Sequence, residues 1–158
     1  MSIGEIYLTQ EGHDKLIEEL DYLEKTKRRE IAKALEYARS LGDISENAEY
    51  DAAKNEQAHC EKKIAGLKDK LSRARIIDPK QMPDGQVFIG AKVLLKDLDT
   101  DEELEYMLVS QEEADYEAGK ISIESPVGRS LLQRKVKDIV EITVPAGALR
   151  YKIIKISR

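Results

Sequence analysis

From Ala53 the chain passes through Gln57, Cys60, Ile64, Leu67, Leu71 and Ala74 at successive steps of 4, 3, 4, 3, 4 and 3 residues. This is the spacing of a coiled-coil seam, a stripe too narrow to cover itself and therefore committed to a partner helix. The partner is found upstream. Leu16, Leu20 and Leu23 begin a similar stripe, the polar run Lys25 to Glu30 interrupts it, and Ile31, Ala34, Leu35 and Ala38 resume it. Thr9 is placed to cap the start of this first helix and Gly42 to stop it, which predicts helices over about residues 10–41 and 47–75. A connection of a few residues folds them back antiparallel. Thirty residues at about 1.5 Å rise make an arm of about 45 Å, a finger with its tip at Gly42 to Asn47.

The chain changes character near Asp78. All four prolines, Pro79, Pro83, Pro126 and Pro145, lie beyond it. After a linker from Pro79 to Gly85, short β-like segments follow at Val87–Ile89, Lys92–Leu98, Leu104–Val109, Ile121–Ile123, Ile139–Val144 and Tyr151–Ile156. Pro126 followed by Val127, Leu131 and Leu132 marks one short helix with proline in its first turn. The expected fold is therefore α+β: a coiled-coil finger over residues 1–78 with an acidic tip at 42–47, a linker at 79–85, and a mainly antiparallel β domain with a short helix over 86–158.

Charge narrows the function. With 31 acidic and 26 basic residues the net charge is -5, the wrong sign for holding nucleic acid by bulk attraction, so any such contact must be local. Between Asp97 and Glu117 lie ten carboxylates and no Lys or Arg, read as a solvated edge that repels neighbours. The single Cys60 and the two histidines, His13 and His59, offer no internal disulfide and no metal-ligand cluster. Cys60 reads as a seam residue and His59 as its flank. No run approaches the ~20 apolar residues of a membrane span, and Met1 to Leu8 lacks the features of a signal peptide, so a soluble protein of the reducing cytoplasm is expected.

The tip reads Arg39-Ser40-Leu41-Gly42-Asp43-Ile44-Ser45-Glu46-Asn47-Ala48-Glu49-Tyr50. Asp43 and Glu46, three positions apart, fit an acidic capping box that starts the second helix. Spacing alone favours that capping; the same two acids also fit a pair of oxygen donors carried on a thin arm to a divalent metal whose other ligands wait elsewhere, since Mg²⁺ takes one or two protein carboxylates beside waters and phosphates. Arg39 and Lys54 flank the tip as candidates for steadying a nucleic-acid backbone, and Tyr37 and Tyr50 offer aromatic faces for a base or packing for the turn.

The stretch from Ala38 to Tyr50 closely resembles the tip signature of the Gre family of bacterial transcript cleavage factors. Ile121-Ser122-Ile123-Glu124-Ser125-Pro126-Val127-Gly128-Arg129-Ser130-Leu131-Leu132 resembles the family's second signature, and Val144-Pro145-Ala146-Gly147 is similar to a third short element. The resemblance implies an FKBP-like C-terminal domain docked on the rim of the bacterial RNA polymerase secondary channel, with Glu124, Ser125 and Pro126 in the loop that touches it. It further implies that Asp43 and Glu46 assist the polymerase's catalytic centre by holding an Mg²⁺ shared with it. The isolated protein, a monomer, would bind no cofactor. Arg39 and Lys54 match basic positions near the 3′ end of the nascent RNA. After Leu132 the family usually carries glycines where this chain has Gln133 and Lys137. The sparse basic residues of the second helix resemble the less basic branch of the family, which implies release of short fragments.

Three alternatives share these residues: a channel-binding inhibitor without cleavage activity, a peptidyl-prolyl isomerase or chaperone with a helical handle, and a scaffold in which the tip acids only cap a helix. Both tip acids favour cleavage over inhibition. With no Trp and only Phe88 as phenylalanine, the chain is poor in the aromatic lining of an isomerase pocket.

Overall fold

The computed structural model describes residues 4–158, with the side chain of Ile44 outside the description. Contacts divide the chain into two compact units, His13–Ala74 and a second one of Met1–Gly12 with Arg75–Arg158. The segment expected as a finger over 1–78 thus gives up both its ends. The reason is a small sheet that the sequence did not announce: β1 (Ile6–Leu8) pairs with β2 (Ala74–Ile76), and the Ile77 amide donates to the Leu8 carbonyl at 2.8 Å.

The first unit is the expected helical hairpin. Its first arm begins with α1 (Gln10–Asp21), and the Thr9 hydroxyl accepts from the Gly12 amide at 3.0 Å as the predicted cap. A π-helical turn, Tyr22–Lys27, leads without a break into α2 (Arg28–Ser40). The second arm is α3 (Ala48–Arg73). Leu23, Ile31, Leu35, Ala53, Cys60, Ile64 and Leu67 are buried in the seam, with Leu16, Leu20 and Tyr50 packed against them.

The polar interruption now has a structural meaning. From Leu23 through Lys27 and Ile31 to Leu35 the seam steps by 4, 4 and 4, one residue more than alternate steps of 4 and 3 allow, and the π turn takes up the extra residue. Lys27 stands at the polar layer and bonds Glu56 across the hairpin at 2.5 Å. Further pairs link the arms, Arg28 to Glu61 through two hydrogen bonds of 2.8 and 2.9 Å and Lys63 to Glu19 at 2.8 Å. They fix which residues of the two arms face each other more than they add stability, because exposed pairs are worth little.

The second unit is built on a five-stranded sheet: β3 (Lys92–Asp97), β4 (Glu103–Val109), β5 (Lys120–Ser122), β6 (Ile139–Val144) and β7 (Gly147–Ser157), in the order β5-β4-β3-β7-β6. Its pairings are antiparallel except β4 with β5, which run parallel. The short helix α4 (Pro126–Leu131) adds Leu131 to a core of Val93, Leu95, Leu108, Val140 and Ile153. The strand expected at Val87–Ile89 does not form. Val87 is buried, but Gln86 makes only an isolated bridge to Lys135, and a tight turn follows in which the Ala91 amide bonds the Phe88 carbonyl and Gly90 takes φ +91°. The second helix also ends sooner than expected, at Arg73, because Ala74 to Ile76 enter β2. Among the described residues, no helix is long and apolar enough to cross a membrane.

Candidate functional site

The tip joins α2 to α3 through seven residues, Leu41 to Asn47. Helix α2 closes with the Leu41 and Gly42 amides donating to the carbonyls of Ala38 and Arg39, both at 3.3 Å. Gly42 at φ +110° then reverses the chain, a conformation that costs glycine nothing and other residues about 1–2 kcal/mol.

A 3₁₀ turn, Ile44–Glu46, follows, and Asp43 caps it: one carboxylate oxygen accepts from the Ser45 amide at 3.0 Å and from the Ser45 hydroxyl at 2.7 Å. The hydroxyl first and the amide second hold the Asp43 carboxyl below its usual pKa range. The carboxylate is exposed and stays charged at neutral pH. Glu46 is also exposed, and among the described residues it makes no hydrogen bond or ion pair.

The capping box expected of Asp43 and Glu46 does not start α3. Asn47 does: its side-chain carbonyl accepts from the Tyr50 amide at 3.1 Å, and its amide group donates to the Ala38 carbonyl of α2 at 2.6 Å. With Asn47 as the cap, neither acid starts the helix. The two arrangements place the cap four residues apart, at Asp43 or at Asn47, and Asn47 with Glu49 and Asp51 in the first turn is the sequence signal that marks the observed one.

Arg39 and Lys54, from opposite arms, are brought together by Tyr50, each with its charge 6.0 Å from the ring centre. Tyr50 is half-buried on the seam and therefore anchors the two cations instead of offering a free face to a base. Tyr37 is 60% exposed. Cys60 is buried in the seam and His59 is exposed, as expected.

The tip's acidic donors are hard oxygens, which suits Mg²⁺, but two carboxylates make less than a full coordination shell. Among the described residues no group of three or more His, Cys, Asp or Glu is placed to hold a metal ion.

The second candidate segment is a knot of hydrogen bonds. The Ser122 carbonyl accepts from the Ser125 amide at 3.1 Å and from its hydroxyl at 2.6 Å, and the Ser122 hydroxyl accepts from the Glu124 amide at 3.0 Å. Ser125 caps α4 through the Gly128 amide at 3.0 Å. Its side chain is therefore committed to holding the loop, whereas Glu124 and Pro126 stand exposed on it. Gln133 and Lys137 keep the glycine-like conformation at their positions, with φ of 66° and 76°.

Within the acidic stretch, Glu113 has a structural partner that its surroundings in sequence did not suggest. Its carboxylate accepts from the Thr9 amide at 2.8 Å and from the Thr9 hydroxyl at 2.5 Å.

Comparison with known proteins gives one family for both halves. Residues 6–76 match the N-terminal domain of the transcription elongation factors GreA and GreB, and residues 82–158 match their C-terminal domain. Transcription elongation factor GreA of Chloroherpeton thalassium is 52% identical over 150 residues, covering 95% of each chain. That of Clostridioides difficile is 50% identical over 154 residues, covering 98% of this chain and 97% of its own. A solved structure, GreA factor homolog 1 of Thermus thermophilus, shares 31% identity over 98% of this chain and 99% of its own, with a TM-score of 0.42.

Proposed function

The chain belongs to the GreA/GreB family of transcription elongation factors, and we propose that it enters the secondary channel of a bacterial RNA polymerase in the cytoplasm and stimulates the polymerase's own cleavage of backtracked RNA. The factor is an accessory and the polymerase the catalyst. The reading is carried by one observation: Asp43 and Glu46 stand exposed at the end of the hairpin while Asn47 starts the helix behind them.

Each tip residue then has a task. Asp43, kept ionised by Ser45, and Glu46 offer carboxylate oxygens to an Mg²⁺ shared with the polymerase. Such an ion, when bound, supplies charge neutralisation and an activated water for phosphodiester hydrolysis. Arg39 and Lys54 meet the phosphates next to the displaced RNA 3′ end, and Tyr50 keeps both cations from swinging away. Glu124 and Pro126 face the channel rim, with Ser125 fixing the loop beneath them.

The test is a stalled, backtracked complex with end-labelled RNA and Mg²⁺, treated with the unsubstituted protein or with Asp43→Asn/Glu46→Gln. Asparagine still accepts from the Ser45 amide, so the turn survives and only charge is removed. The expected outcome is shortened RNA with the first protein and none with the second, at equal helicity and polymerase affinity. Cleavage by the double variant would refute the role of the acids. Slowed elongation without cleavage by the unsubstituted protein would instead make it an inhibitor.

A further inference from the structure

We propose that Asn47 is a positioning residue that aims the tip acids. The proposal rests on the cleavage reading above.

Leu41, Gly42, Asp43, Ser45 and Glu46 are all exposed, and a Cβ placed on Gly42 would meet nothing within 4 Å. Among the described side chains of the tip, packing therefore does not fix the direction in which the acids point. The bond from Asp43 to Ser45 shapes the turn internally but ties it to neither helix. The 3.3 Å closing bonds of α2 are long for an amide and a carbonyl.

What joins the two ends of the tip is the Asn47 side chain. It accepts from Tyr50, at the start of α3, and donates at 2.6 Å to Ala38, which is 1% exposed and sits in the seam of α2. A primary amide has an acceptor and a donor on one carbon, which this double bond requires. Glu46 is the residue immediately before it and Asp43 lies four before it. Displacing a reacting group by about 1 Å is enough to cost about a hundredfold in rate.

Two substitutions separate this role from capping alone. Asn47→Asp keeps an acceptor for Tyr50 but turns a carboxylate toward the Ala38 carbonyl. Asn47→Ser keeps a cap oxygen but is too short to reach Ala38. In the isolated full-length variants, amide hydrogen exchange at Leu41 and Gly42 is expected to rise by about tenfold or more, with the seam amides of α3 unchanged.

With the polymerase complex, affinity is expected to hold, the cleavage rate at saturating factor to fall by about tenfold or more, and the half-saturating Mg²⁺ concentration to rise. If both variants exchange and cleave like the unsubstituted protein, the proposal is overturned and Asn47 is only a cap. If the unsubstituted protein does not cleave, the cleavage reading fails, whereas the exchange measurement still decides whether Asn47 holds the tip.

Discussion

Replacing Gly128 by alanine tests whether the loop carrying Glu124, which leads into α4 at Pro126, is set by packing against that helix. A Cβ at Gly128 would lie 2.0 Å from the Ser122 carbonyl oxygen and 2.9 Å from its carbon. Atoms at rest stand about 3.5 Å apart, so the loop or the helix must retreat by about 1.5 Å. Overpacking of this kind costs about 1–3 kcal/mol. The same retreat pulls on the Ser125 cap and on the bonds from Ser125 to Ser122, a further loss of about 1 kcal/mol. The expected total is about 3 kcal/mol. At about 1.4 kcal/mol per tenfold change, exchange of the slow core amides of β3 and β7 should quicken by about a hundredfold. Gly66→Ala is the counterpart: Gly66 is exposed within α3 with nothing within 4 Å of its would-be Cβ, so alanine there should stabilise the hairpin by about 0.5–1 kcal/mol. Opposite signs for the same chemical change are the expected result. If Gly128→Ala leaves the sheet amides as slow as before, the close approach to Ser122 does not hold the loop in solution and the argument fails.

Gln133→Gly with Lys137→Gly should raise the melting temperature by a few degrees, because both exposed residues hold positive φ while their amides bond Val87 and Ile153 through the backbone alone; an unchanged or lower value in calorimetry would contradict it. Arg28→Ala should move the Glu61 carboxyl titration, followed by NMR, up toward its ordinary value, since the Arg28 hydrogen bond is the main cause of its depression. A depressed carboxyl stabilises the fold above its unfolded value and loses that contribution as pH falls through the folded one. The melting-temperature gap between the two proteins should therefore be full at neutral pH and close in acid below the ordinary carboxylate range.

The parts legible in the sequence were those written as a period. The seam of α3 can be counted residue by residue, and the strand Ile139–Val144, whose inward side chains alternate, has the bounds its pattern predicts. Pairing was not written that way. Ile6–Leu8 and Ala74–Ile76 are three residues each and become strands only through each other, although 65 residues separate them. Val87 to Ile89 looked like a strand by composition, but Gly90 turns the chain before a ladder can form. At the tip, the acids were visible from sequence, whereas the division of labour with Asn47 was not, because Asp43 and Asn47 are both good caps and only geometry decides which amides each one meets.

That division bears on how such a chain can change over time. The bonds that shape the tip run from Asp43 to Ser45 and from Asn47 to Ala38 and Tyr50, all within a stretch of thirteen residues. Glu46 takes no part in them, and Asp43 can be replaced by asparagine with its turn preserved. Selection for folding therefore exerts almost no hold on the two carboxylates. A lineage could exchange them and arrive at a different output, pausing in place of rescue, while inheriting the scaffold unaltered. Their retention here would then reflect chemistry alone.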